Sequence, residues 1–169
     1  MTEPITVETL PAQPVFEVAA EPKLYQIPSA LASGFAEAAA AIEAAGAERT
    51  GMPYARYLEV DWNSLDNSAL RQFIDIFFKR QKMQFGLKLA EAHEVDGVEF
   101  GTEIPAGRYI RTIHRGAYHK VGETYSLIVA WASAQGIKLA DNSIEHYIDD
   151  PTEVPKAEVR TEVFVPIAD

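Results

Sequence analysis

Glu145 and Tyr147 stand two residues apart in the stretch Ser143-Ile144-Glu145-His146-Tyr147-Ile148, which reads as a strand. Positions two apart in a strand share a face, so a carboxylate and a phenol project together. A carboxylate beside aromatic rings suits a lipophilic cation: the rings supply area and cation–π attraction, and the charge supplies orientation. The same pair, with Glu145 as general base toward water and Tyr147 or Tyr57 as acid on a leaving group, would also suit opening of a strained electrophilic ring. His146 alternates to the other side. A plainer alternative makes Glu145 a carboxylate on a half-exposed strand, or the partner of Arg56, Arg108 or Arg111.

Other chemistries are excluded by residue type and spacing. Cysteine is absent, which removes disulfides, thiolate catalysis and Cys-ligated zinc. His93, His114, His119 and His146 lack metal-ligand spacing, no Gly-x-Ser-x-Gly elbow occurs, and Gly136-Ile137-Lys138 lacks the glycine frame of a phosphate loop. No metal or cofactor is expected. With a formal charge of -10 and only the short basic cluster Lys79-Arg80-Gln81-Lys82, direct nucleic-acid binding is not expected. The first residues, Met1-Thr2-Glu3-Pro4, lack the basic flank and apolar core of a signal peptide. No stretch reaches the roughly 20 apolar residues of a membrane helix, so the expectation is a cytoplasmic protein without membrane contact.

The elements that position Glu145 follow from periodicity. Pro105-Ala106-Gly107 opens a strand over 108–114. Val121, Tyr125, Ile128 and Ala132, with Trp131 beside them, predict an amphipathic helix over 121–134 that stops at Gly136. A strand over 143–148 carries Glu145, and one over 158–167 closes the unit. Earlier, Pro4, Pro11 and Pro14 keep 1–14 extended, with 5–7 able to join a sheet, and 15–19 is a strand. A helix runs from Ile27-Pro28-Ser29 to about Ala45, with Leu31, Phe35, Ala38, Ala39 and Ile42 on one face and Gly46 as its stop. Gly51-Met52-Pro53 reads as a turn before a strand over 54–60. Leu70, Phe73, Ile74, Phe77 and Phe78 predict a further helix over 69–79, packed on the domain or at a homodimer interface. A strand over 83–90, a charged turn at 93–97 and Val98-Glu99-Phe100 follow.

The order strand, helix, glycine break, strand, connection, strand thus occurs twice, over about 15–90 and 108–167, within one domain spanning 1–169. Aligning the copies sets Gly46 beside Gly136, Tyr57 beside Tyr147, Ala55 beside Glu145, and Met83 to Ala90 beside Thr161 to Ala168. Two such βαββ units predict an α+β fold: an antiparallel sheet with both main helices on one face and a central cleft. At this position the cleft carries a carboxylate from the second copy alone. Its candidate walls are Tyr54, Tyr57, Tyr109, Tyr118, Tyr125, Tyr147, Trp62 and Trp131, of which Tyr57 and Tyr147 are favoured for the cleft and Trp131 for packing.

The second half resembles the GyrI-like small-molecule-binding family, also met as the effector-binding domain of AraC-type and MerR-type multidrug regulators. The matching residues are His114-Arg115-Gly116-Ala117-Tyr118, Tyr125, Trp131, Gly136, Glu145-His146-Tyr147, Pro151, Thr161-Glu162 and Pro166-Ile167. The first half matches more loosely, through Gly51-Met52-Pro53 and Tyr57, and the extra helix over 69–79 departs from the family pattern. The resemblance implies the duplicated βαββ fold, ligands between the halves, and Glu145 as the glutamate that receives cationic ligands. Too few residues precede Val15 for a helix-turn-helix, so the chain is similar to stand-alone members. Those members imply three roles: small-molecule binding, hydrolysis of cyclopropane-type natural products, and inhibition of gyrase as a protein partner.

Overall fold

The computed structural model describes residues 3–63, 79–150 and 152–168. The helix predicted over 69–79 falls, but for Lys79, on residues outside this set. The described chain divides into two compact units. The first comprises β2 (Gln13–Ala20), α1 (Ile27–Ala45), β3 (Arg49–Tyr57), β4 (Met83–Leu89), β5 (His93–Val95), β6 (Val98–Phe100) and β7 (Thr102–Ile104). The second comprises β1 (Thr6–Leu10), β8 (Gly107–Arg115), α2 (Val121–Ala134), β9 (Ser143–Tyr147) and β10 (Arg160–Pro166).

Both units are α+β with antiparallel pairing, and both use the same order. In the first, β4 lies between β2 and β3, with β7 along the outer side of β2. In the second, β10 lies between β8 and β9, with β1 along the outer side of β8. The duplicated βαββ pattern is therefore present, and its register is the one the sequence repeat sets. Tyr57 lies opposite Met83 as Tyr147 lies opposite Thr161, and Ala55 lies opposite Phe85 as Glu145 lies opposite Val163.

The two helices also end alike. Gly46 and Gly136 take left-handed φ of 68° and 66°, a conformation that costs glycine nothing. The next residue bonds back across the last turn in each: Ala47 N to Ile42 O at 3.1 Å and Ile137 N to Ala132 O at 2.9 Å. This six-to-one closure satisfies carbonyls the helix end would leave orphaned.

Each helix buries one stripe on its own sheet. Ala38 and Ile42 of α1 pack against Leu87 and Leu89 of β4, flanked by Phe16 and Val18. Tyr125, Ile128 and Ala132 of α2 pack against Ile110 of β8 and Val163 and Val165 of β10. Complete burial of a side chain such as Ile128 or Ile110 contributes roughly 1.5–3 kcal/mol.

Two local expectations change. Gly51-Met52-Pro53 is not a turn: β3 starts at Arg49, and its pairing with β4 shifts between Thr50 and Tyr54. Gly51, at φ 65°, absorbs this bulge, which lets the strand continue through a proline without losing its partner. The charged segment 93–97 is the first strand and turn of a hairpin, β5–β6, closed by Asp96-Gly97 with φ of 51° and 77°. Two consecutive positive φ values match the right-handed twist of paired strands, which is why Asp-Gly favours hairpins.

Candidate functional site around Glu145

Strand β9 is buried along its whole length, and its alternation sends Ser143, Glu145 and Tyr147 toward α2. The Glu145 residue is 3% exposed, and both of its oxygens accept from phenols. Tyr125, on α2, donates to Oε1 at 2.8 Å, and Tyr147 donates to Oε2 at 3.2 Å. Tyr125 Oη also lies 3.0 Å from Ser143 Oγ. A phenol has one proton, so with that proton on the carboxylate the serine hydroxyl donates to Tyr125. The result is an oriented relay, Ser143 to Tyr125 to Glu145.

Aromatic groups surround this relay. The Tyr118 ring stands edge-on to Tyr147 with centroids 5.4 Å apart, and its hydroxyl donates to the Asp149 carbonyl at 3.3 Å. Burial pushes the Tyr118 phenol pKa up, and the charges of Asp150, Asp149 and Glu145 add to the shift. The Trp62 ring tilts over Tyr125 at 5.7 Å while its indole N–H donates to the Ala140 carbonyl at 2.7 Å. Trp131 packs against the apolar cluster under α2.

The second unit thus gathers Glu145, Tyr147 and Tyr118 with Tyr125 and Trp62, and holds Trp131 in the adjoining core. Tyr109 lies on the opposite face of the same sheet, edge-on to Phe164 at 6.3 Å. Tyr57 and Tyr54 belong to the first unit. Tyr57 is on the α1 side of its sheet and half-buried, at the place equivalent to Tyr147. Tyr54 is fully buried on the other side, where its hydroxyl donates to Glu17 Oε1 at 2.8 Å. Burial, then the Glu17 charge, pushes the Tyr54 pKa far up.

Two of the arginines named in the ion-pair alternative for Glu145 are engaged elsewhere. Arg56 grips Glu17 through Nε at 3.1 Å and Nη2 at 2.5 Å. Arg111 pairs with Glu162 and with Glu8, and His146 Nδ1 lies 3.2 Å from the second oxygen of Glu162. His146 is therefore on the face away from Glu145, as the alternation predicts. The hydrogen bond with His146, opposed by burial and reinforced by Arg111, holds the Glu162 carboxyl below the usual carboxylate range.

Tyr125 was legible as a core position of α2, and Ser143 only as the start of a strand. Their role as a relay depends on which strand α2 covers. The described surface carries shallow concavities. One of about 390 Å³ adjoins Glu21, Leu58, Lys82 and Gln84; another, of about 430 Å³, adjoins Arg115, Asp149, Glu158 and Arg160. Neither reaches Glu145. Glu145 is singled out by its chemistry instead: a carboxylate taken out of water needs hydrogen-bonding partners, and buried ionisable groups of this kind gather at functional sites. Among the described residues no group of three or more His, Asp or Glu could hold a metal, and no helix is long and apolar enough to cross a membrane.

Comparison with known proteins gives a consistent placement. The chain matches EcmrR in an EcmrR–DNA complex (EcmrR-RPo) with a TM-score of 0.72 at 19% identity, over 99% of this chain and 58% of that one. It therefore spans little more than half the length of the EcmrR chain. The isolated EcmrR C-terminal domain matches with a TM-score of 0.69 at 18% identity, over 98% of both chains. A hydrolase encoded by lin2189 from Listeria innocua matches at 0.60 and 12% identity, over 97% of this chain and 91% of that one. SAV2435, bound to tetraphenylphosphonium, matches at 0.56 and 11% identity, over 98% of this chain and 94% of that one. At these identities the likeness is one of fold. No curated protein matches the chain. The model of the GyrI-like small molecule binding domain matches residues 77–168, more than half of the sequence, and the chain belongs to that family.

Proposed function

We propose that the protein binds lipophilic cations or aromatic molecules at Glu145, with Tyr125, Tyr147, Tyr118 and Trp62 as the aromatic surround. The observation that carries this reading is a carboxylate at 3% exposure whose two oxygens are held by phenol hydroxyls. Phenol hydroxyls hold the carboxylate without neutralising it, so its charge remains to attract an arriving cation. Rings left beside the carboxylate then meet the cation with their faces. Since Glu145 is enclosed, binding requires the aromatic side chains around it to move, and Tyr147, with the longer bond, is the one to yield. That SAV2435 takes tetraphenylphosphonium is consistent with this ligand class on a shared fold.

The test is calorimetric titration of tetraphenylphosphonium and of triphenylphosphine oxide into the wild type and Glu145→Gln. Loss of a charge-assisted interaction predicts about 10- to 100-fold weaker binding of the cation, with the neutral compound little changed. Equal losses for both, or no binding of the cation to the wild type, would overturn the reading.

A second reading rests on the contact between Tyr147 Oη and Glu145 Oε2. A base and an acid that touch can share the work of hydrolysis: Glu145 takes a proton from attacking water, and Tyr147 supplies one to the leaving atom of an opened ring. Glu145→Gln that still binds a strained electrophile but no longer turns it over would put this reading first.

A further inference from the structure

His114, Thr161 and Tyr147 form one row across three strands. His114 of β8 is directly opposite Thr161 of β10, which is directly opposite Tyr147 of β9. Directly opposed residues share a face, so all three lie on the side covered by α2, as Glu145 does. His114 is 3% exposed and Thr161 fully buried. The imidazole Nδ1 is engaged, 2.7 Å from Thr124 Oγ1 on α2. The Thr161 hydroxyl meets no hydrogen-bond partner, and Nε2 meets none of ordinary hydrogen-bond geometry, the Ala117 backbone being its nearest approach to an acceptor.

Buried polar atoms left in this way are rare in folded proteins, and two of them at directly paired positions on the site's own face point to an occupant. Gly116 leaves the approach to Nε2 free of a side chain. A side chain there would bring its Cβ to 3.4 Å from that nitrogen, and the φ of 141° disfavours any residue but glycine. Burial pushes the imidazole pKa down, partly opposed by the Ala117 backbone and the Glu123 charge. A neutral ring offers Nε2 as donor or acceptor according to which nitrogen carries the proton.

We infer that the site at Glu145 continues across β10 to His114, and that its ligands carry a hydroxyl or carbonyl oxygen, bonded by Thr161 Oγ1 and His114 Nε2, in addition to the cationic centre. The inference rests on the cation-binding reading of Glu145 and narrows its ligand class. Tyr147 and His114 are separated by two inter-strand spacings, about 10 Å, so the oxygen should stand at roughly that reach from the charge.

The probes are ω-hydroxyalkyl triphenylphosphonium ions of increasing chain length, each compared with the alkyl ion of equal length. In the wild type one chain length should favour the hydroxyl member by about 3- to 10-fold, the worth of one ordinary hydrogen bond. That preference should vanish in Thr161→Val and His114→Phe, while tetraphenylphosphonium binds all three alike and Glu145→Gln weakens every cation. If tetraphenylphosphonium itself fails to bind, the underlying reading falls. If it binds through Glu145 but no chain length shows a hydroxyl preference, the extension to His114 falls alone. Thr161→Val also has a readout without ligand: it should melt no lower than the wild type, and a clear loss would show that the hydroxyl serves an internal partner instead.

Discussion

Tyr125 of α2 and Glu145 of β9 meet at 2.8 Å, phenol to carboxylate, so the helix is tied to its sheet at the residue proposed to receive the ligand. Stability and binding are consequently linked at this bond. Replacing Tyr125 by Phe removes a donor from a buried carboxylate, which costs about 1–3 kcal/mol. Tyr147→Phe should cost less, since its bond is 3.2 Å long. Urea unfolding at unchanged m-value checks the order, and equal losses would contradict it.

The far face of the first unit holds a second buried carboxylate. Glu17, with its side chain 2% exposed, is gripped by Arg56 and receives the Tyr54 hydroxyl. Arg56→Met leaves that charge without its guanidinium, a change worth about 3–5 kcal/mol. Adding Glu17→Gln should restore much of the loss. A double variant no more stable than Arg56→Met would show that the pair is not coupled.

Glu162 links stability to acid. Its pKa is depressed in the folded state by His146 and Arg111, so the stability it contributes is complete above the ordinary glutamate value of about 4.3. That contribution is lost as pH falls through the lower folded value. Urea midpoints followed from pH 6 to pH 2 should fall more steeply for the wild type than for Glu162→Gln. Parallel curves would remove Glu162 from the acid response.

Gly86 and Gly122 should respond oppositely to alanine. A Cβ at Gly86 would overlap the Tyr54 ring, whereas nothing lies within 4 Å of one at Gly122 in α2. Gly86→Ala should cost about 1–3 kcal/mol through displacement of Tyr54. Gly122→Ala should stabilise by about 0.4–1 kcal/mol by restricting the unfolded chain. Thermal melts of the two variants decide both signs.

Much of this architecture was legible because it is written locally. The 3.6-residue spacing of Val121, Tyr125, Ile128 and Ala132 sets α2 at the bounds observed, and Gly46 and Gly136 end their helices because a left-handed residue is needed there. Strand alternation alone put Glu145 and Tyr147 on one face and His146 on the other. The repeat placed Tyr57 with Tyr147 and Met83 with Thr161. The β5–β6 hairpin was missed although Asp96-Gly97 marks it, because the charged residues around that turn masked two very short strands. The bulge at Gly51 was read as a turn, since one glycine with positive φ serves either.

Periodicity reports which side of its own element a residue takes, and no more. That Tyr125 bonds Glu145 across 20 residues of sequence, that Arg56 and Arg111 are spent on Glu17 and Glu162, and that Tyr109 lies behind the sheet while Tyr118 lies beside Tyr147 were decided by tertiary structure. So was the row from His114 through Thr161 to Tyr147. Each depends on strand register and on which face a helix covers. Those are set by the joint packing of distant segments, where a shift of one residue would send every side chain to the opposite face.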